Sequence, residues 1–403
     1  MKDNTIILYN LGVLAVLLLL PILFACDRNV IDDTELIGVK PYDDGFEYKL
    51  PIRSAEAIAD YAVLGDGVTR SAEDKNVSYI LRNFKSRSNS NVCDTLAYVF
   101  QYGREGGFAI ISYDKRISPL LAYSIEDSYS EENEIMKSVF ADKLESYFDN
   151  VITCTTGDVV DTISMKKDRF LLNIQIPRIT TTLDQWNPYN KYVDEKYPGF
   201  PTGCGATAIA SAVLHLKDKL YYHGSAVCLE SIRKAISGKE CVDSSSHDYP
   251  VYTYSQGIDS VAWLMYNIAI DVNTEFIKTL GGEKVGSTKF MDLYSFFVRN
   301  KFGVSAYYSS YNIDNIEEIR KALWENRKMV FVWGLRNMSN GHFWLMDGCR
   351  FEQNELTEEV TGVMFHCDWG WGGLCNGYFK ADVMAEQLPN YQALGYFLLD
   401  VEK

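Results

Sequence analysis

A run of small residues constrains this chain more than any other feature: Gly203-Cys204-Gly205-Ala206-Thr207-Ala208-Ile209-Ala210-Ser211-Ala212-Val213-Leu214. Side chains this short let a helix approach its neighbours closely, so the run predicts a tightly packed helix. Thr202 suits the N-cap position, which would set Cys204 in the first turn. The free N–H groups and the dipole there favour a thiolate and lower the thiol pKa. On this run alone, a reactive cysteine and a small buried one fit equally well.

The surrounding composition divides the chain. All seven tryptophans lie at or beyond Trp186. Toward the C-terminus, Met329–Trp333, Gly341–Asp347, Val360–Cys367 and Gly377–Phe379 read as strands of an antiparallel sheet. Upstream, Tyr98–Tyr102 and Phe108–Ser112 read as strands joined by the Gly103–Gly107 turn. Residues 133–151 place Ile135, Val139, Phe140, Leu144, Tyr147, Phe148 and Val151 at helical spacing. Residues 51–85 have mixed helical character, and Ser86–Asn91 reads as an exposed loop. Residues 155–180 read as a connecting stretch, with a basic cluster, Lys166-Lys167-Asp168-Arg169, as a possible processing point. The organisation expected is a small α+β domain over 51–175, without a nucleophile–base pair of its own, and a second domain over 176–403.

The N-terminus has another character. An apolar run from Thr5 to Ala25 follows Lys2 and ends in Leu23-Phe24-Ala25-Cys26. A charged start, an apolar middle and a small residue at the cut predict an export signal over 1–25. Cys26 then fits the lipidated position of a bacterial lipoprotein, with the acidic stretch to residue 50 as a tether. An uncleaved membrane anchor is the alternative. The expected location is the cell envelope, held to the membrane through acyl chains. The other eight cysteines show no dense disulfide framework.

A net charge of −15 sets nucleic-acid binding aside, because an acidic surface repels phosphate. Gly106-Gly107 and Gly281-Gly282 are isolated turn pairs, so no phosphate loop is expected. His366, Cys367 and Cys375 lack a second half with zinc-ligand spacing. No cofactor or metal is expected.

A thiolate nucleophile needs a base, and imidazole suits neutral pH. Five histidines are present: His215, His223, His247, His342 and His366. His215 and His223 read as surface residues, and His247 sits in a Ser-rich loop. His342 opens an apolar strand straight after a turn, in Asn340-Gly341-His342-Phe343-Trp344-Leu345-Met346-Asp347. Cys367-Asp368-Trp369-Gly370-Trp371-Gly372-Gly373 reads as a rigid loop able to shield an imidazole. Either Asp368 or the loop backbone is placed to fix its tautomer. Acyl transfer also needs a preplaced amide N–H for the oxyanion, beside the Cys204 N–H. Gln185 lies 19 residues upstream of Cys204 and taken alone reads as ordinary surface.

Together these residues resemble the streptopain family of papain-fold cysteine proteases, from about residue 50 to the C-terminus. Gly203–Ala208 is similar to its nucleophile motif, with Gly205 in place of the usual Val. Gly341-His342 with the following strand resembles its histidine motif. Trp369-Gly370-Trp371-Gly372-Gly373 with Gly377-Tyr378-Phe379 resembles its tryptophan loop, with Asp368 where Asn is usual. Gln185 falls on the oxyanion glutamine, with Leu183 in place of a usual Trp. Gly106–Arg116, continuing to Ala122-Tyr123-Ser124, is similar to the family's inhibitory propeptide.

The resemblance implies an α+β fold: a papain-like catalytic domain of helices plus antiparallel sheet, preceded by an inhibitory propeptide. It implies Cys204 as nucleophile, His342 as base, Gln185 in the oxyanion hole, Asp368 orienting His342 and Trp369 shielding it. The expected function is a zymogen that hydrolyses protein or peptide substrates through a thioester, with its own propeptide as intramolecular inhibitor. A non-catalytic surface binding or inhibitor protein on the same scaffold, and a cell-wall peptidase or amidase, are the alternatives.

Overall fold

The computed structural model describes residues 7–8, 48–64, 75–82, 95–103, 106–130, 136–155, 170–175, 177–238, 252–279, 281–299, 302, 304–337, 340–354, 357–386 and 393–401. Cys26, the tether to residue 47, the Ser86–Asn91 loop, the Lys166–Arg169 cluster and His247 lie outside these residues. Among the described residues no helix is long and apolar enough to cross a membrane.

The N-terminal unit is a four-stranded meander between two helices. Helix α1 (Ile52–Leu64) carries Ala55, Ala59 and Val63 one turn apart on its buried face. Strands β1 (Lys75–Leu81), β2 (Thr95–Tyr102), β3 (Phe108–Ser112) and β4 (Leu120–Ser124) pair in sequence order. Their side chains alternate between two cores, as the period of two requires. Tyr98, Phe100, Ala109 and Ile111 pack with α1. Val99, Phe108, Ile110 and Leu121 share the opposite core with Leu144 and Phe148 of helix α2 (Asp142–Thr155). A π-helical turn, Lys137–Ala141, leads into α2, so the α-helix proper starts later than its apolar spacing predicts.

The second unit contains strand β5 (Phe170–Ile174), helix α3 (Cys204–Leu216), helix α4 (Tyr254–Asp271), and a hairpin of β6 (Glu275–Lys278) and β7 (Lys284–Ser287). Helix α5 (Phe290–Val298) and strands β8 (Val304–Ser310), β9 (Met329–Asn337), β10 (Asn340–Asn354), β11 (Val360–Asp368) and β12 (Gly377–Lys380) follow. Helix α6 (Ala381–Ala385) and strand β13 (Ala393–Val401) close the chain. From Gly205 to Leu214 every residue of α3 is buried, as its small side chains predict. The sheet separates two cores. Val330 and Val332 of β9 join the core of α2, while Met329, Phe331 and Trp333 face α3.

Two features depart from the sequence reading. The connecting stretch contains β5, which pairs with Arg350–Asn354 of β10. Its partner lies almost 180 residues downstream, so no local pattern announces it. The two units also share one sheet, in the order β8-β13-β9-β10-β11-β12-β4-β3-β2-β1. At the junction Tyr378 pairs with Tyr123 and Phe379 with Ala122. Beside it α2 docks on α6. The buried Lys143 ammonium donates to the Met384 carbonyl at 2.5 Å, and Ser146 Oγ donates to Glu386 at 3.0 Å.

Candidate active site

Cys204 is the first residue of α3, and the N-cap is Gly203 rather than Thr202. Gly203 has φ +96°, and a Cβ there would lie 2.6 Å from the Gly286 carbonyl oxygen of β7. Only glycine fits both the torsion and the space. The Thr202 side chain turns inward, where its hydroxyl is buried without a hydrogen-bond partner among the described residues. At Gly205, Thr288 and Leu293 stand 3.1–3.3 Å from where a Cβ would sit. A Cβ there would require these side chains to give by a few tenths of an ångström.

The main-chain N–H groups of Phe343, Gly205 and Cys204 lie close enough to the Cys204 sulfur to favour its thiolate. Burial pushes the thiol pKa up, and the three donors offset only part of that. The helix terminus alone predicts a lowered pKa; here desolvation outweighs it.

The Phe343 N–H brings the sulfur against the strand one residue beyond His342. His342 is 3% exposed, and its Nε2 donates to the Trp369 carbonyl at 3.0 Å. A carbonyl only accepts, so Nε2 carries the proton and Nδ1 keeps its lone pair. That Nδ1 is buried and makes no hydrogen bond among the described residues. Burial lowers the His342 pKa to about 4, with the Trp369 carbonyl acting the other way. Base and thiol are therefore both neutral, and they are not hydrogen-bonded to each other.

Three indoles surround this ring. Trp371 stacks at 4.8 Å between centroids, Trp344 at 6.1 Å and Trp369 at 6.3 Å. The nearest shield is Trp371, while Trp369 holds the imidazole through its main chain. Asp368, expected to orient His342, points elsewhere. Its Oδ2 accepts from Ser211 Oγ at 3.1 Å, and its Oδ1 from Gly370 N at 3.2 Å and Asn376 Nδ2 at 3.1 Å. The loop turns Asp368 toward α3, so the backbone supplies the tautomer-fixing partner.

Gln185 is half-buried, and its carbonyl accepts the Thr202 N–H at 2.8 Å, which fixes it beside the lead-in to Cys204. Leu183 is fully buried in the core of α3, and its carbonyl accepts the Gly372 N–H at 3.0 Å. Residues 183–185 thus bridge the tryptophan loop and the cysteine segment. Of the other histidines, His215 is half-buried with Nδ1 2.8 Å from the Ser211 carbonyl, contrary to a surface reading. His223 lies near Asp271, and His366 Nδ1 lies 2.6 Å from Asp347. None of the three joins Cys204. The sequence reading missed the Phe343 N–H and the nearer stacking of Trp371. A backbone donor carries no residue signature, but the second tryptophan of the loop was visible.

The N-terminal unit reaches this loop directly. The Ser128 carbonyl accepts the Cys375 N–H at 2.8 Å, and Asp127 Oδ1 lies 2.9 Å from where a Gly373 Cβ would sit. Rings continue the contact: Phe140 meets Phe379 edge-on at 5.1 Å, and Phe379 meets Trp369 edge-on at 5.5 Å.

Known proteins share both parts. The Spi protease inhibitor family model matches residues 54–151, and the Peptidase C10 family model matches residues 183–379. Streptopain of Streptococcus pyogenes is 25% identical over 365 residues, covering 81% of this chain and 81% of its own. The thiol protease/hemagglutinin PrtT of Porphyromonas gingivalis is 23% identical over 330 residues, 72% of this chain and 34% of that protein. A solved fragment of Prevotella intermedia prointerpain A aligns with 80% of this chain and 98% of its own. Its identity is 18% and its TM-score 0.47.

Proposed function

The chain belongs to the peptidase C10, or streptopain, family and carries a Spi-type inhibitor domain ahead of the peptidase domain, and from that premise we propose that it is the zymogen of a cysteine endopeptidase. The observation that carries this reading is the His342 tautomer. With Nε2–H committed to the Trp369 carbonyl, the free lone pair is on Nδ1, in the strand that meets the Cys204 sulfur.

In the proposed reaction Nδ1 takes the thiol proton as sulfur attacks the scissile carbonyl carbon. The Gln185 side chain and the Cys204 N–H stabilise the oxyanion. The C–N bond then breaks, His342 returns the proton to the leaving amine, and a thioester remains. Water, deprotonated by the same imidazole, cleaves it and regenerates the thiol. Unfolded protein or peptide is the substrate class.

The N-terminal domain is the intramolecular inhibitor. Support comes from the shared sheet, the α2–α6 contact and the Ser128 bond to the tryptophan loop. The test is the purified, processed protein with denatured casein, before and after iodoacetamide. Cleavage that stops in step with alkylation of Cys204, located by mass spectrometry, supports the reading. Cleavage that survives full alkylation at Cys204 rules it out.

Export and lipid anchoring complete the proposal, supported by the apolar run ahead of Cys26. In a bacterial host fed labelled palmitate, the parent chain takes up label and Cys26→Ser does not. Equal labelling of the two would overturn the anchor.

A further inference from the structure

Three side chains remain outside the reaction just described, and they converge on the peptide that holds its base. Ser211 is a polar residue two turns into α3, 1% exposed. Its hydroxyl donates to Asp368 Oδ2 at 3.1 Å. Asp368 is 2% exposed, and its other oxygen accepts from Asn376 Nδ2 and the Gly370 N–H. Asn376 is 3% exposed, and its Oδ1 accepts the Trp369 N–H at 3.0 Å.

Both peptide links that flank Trp369 are therefore held. The N–H of the first donates to Asn376 Oδ1, and the second, which carries the Trp369 carbonyl, donates its Gly370 N–H to Asp368 Oδ1. Asp368 itself is tied to the nucleophile helix. The carbonyl of Trp369 is left to point at His342 Nε2. The Trp369 indole N–H, donating to the Cys375 carbonyl at 2.9 Å, keeps the ring from rotating either link. Each of these polar atoms is buried, where an unmade hydrogen bond is costly, so the arrangement has little freedom.

We propose that Ser211, Asp368 and Asn376 form one positioning group for His342, which fixes the Trp369 carbonyl relative to helix α3 and thereby dictates which ring nitrogen faces the thiol. The inference rests on the proposed function. Asp368 acts through hydrogen-bond geometry and not as a charge beside the imidazole, since its carboxylate is turned toward α3. The swap Asp368→Asn keeps that geometry. The amide oxygen replaces Oδ1 and still accepts from Gly370 and Asn376. The amide NH₂ then faces Ser211, whose hydroxyl reverses to accept.

The test is the full chain with ¹⁵N-labelled histidine, read for the His342 tautomer, together with kcat and KM of the processed protein on a peptide substrate. The parent shows the proton on Nε2. Ser211→Ala and Asp368→Ala lose that single tautomer and lower kcat about 10- to 100-fold with KM held within about twofold. Asp368→Asn recovers the Nε2–H signal and brings kcat back to within about threefold of the parent. Parent-like tautomer and kcat in both alanine variants would overturn the proposal. So would an Asp368→Asn as impaired as Asp368→Ala, because the charge would then be what matters. If Asp368→Ala does not fold, Ser211→Ala decides by the same two readouts. A processed parent without turnover would count against the proposed function alone, and the tautomer would still decide the positioning group.

Discussion

Replacing His342 by Ala lowers peptide hydrolysis by the processed protein at least about 10⁴-fold, and Cys204→Ala does the same. The two losses do not add, since a nucleophile without its base and a base without its nucleophile are equally idle. His342→Ala leaves a sulfur that iodoacetamide still modifies, whereas Cys204→Ala leaves nothing there to modify. A His342→Ala chain with more than about a hundredth of parental turnover would show that another group takes the proton.

The pH behaviour of the unprocessed chain follows from the same site. Burial raises the Cys204 thiol and lowers His342 to about 4, so the closed form holds a neutral pair. Alkylation of Cys204 is therefore slow at pH 7 and rises only through the alkaline range. A rate that is fast and level from pH 5 to 9 would mean a preformed thiolate and would contradict this description. The sign for stability is equally definite. His342 binds its proton less readily folded than unfolded, where 6.5 is ordinary. Its contribution is complete above pH 6.5 and is lost as pH falls toward about 4. His342→Ala removes that acid-sensitive share.

The second large effect is at Gly203. Gly203→Ala destabilises the chain by about 3 kcal/mol or more, measured by urea unfolding, and abolishes turnover. Two costs combine. A Cβ at φ +96° is strained by itself, and this one would also meet the Gly286 carbonyl at 2.6 Å. Gly224→Ala separates them. Gly224 has φ +77°, with nothing within 4 Å of its added Cβ. That control bears torsional strain alone, about 1 kcal/mol. Equal losses in the two variants would show that β7 yields freely, and that the close crossing does not position Cys204.

Much of this was readable in the sequence where a local pattern carries the physics. Aromatic and β-branched runs bounded by turn residues located Tyr98–Tyr102, Phe108–Ser112 and Met329–Trp333 on strands that the structure contains. Small residues announced a buried α3. What escaped was decided by distant partners. Phe170–Ile174 becomes a strand because Arg350–Asn354 offers an edge. Asp368 turns from His342 because Ser211, Gly370 and Asn376 together offer three donors, two of them far from it in sequence or across the loop. Thr202 yields the N-cap to Gly203 because β7 runs too close for a side chain. The thiol pKa reverses its expected direction because a helix terminus can be inferred from composition, whereas crowding around a sulfur cannot.

Cutting the chain between its two units does not by itself part them. The seam that joins them is two residue pairs long, against seven between β9 and β10 inside the peptidase unit. It is the place where the sheet tears most readily. Once torn, Gly377–Lys380 becomes a rim with bare amides and carbonyls, and Phe379 loses the cover of Phe108 and Phe140. On the maturation proposed above, the separation would also unveil an adhesive border. The ammonium of Lys380, freed from its perch over the Tyr147 ring, is the charge that guards it.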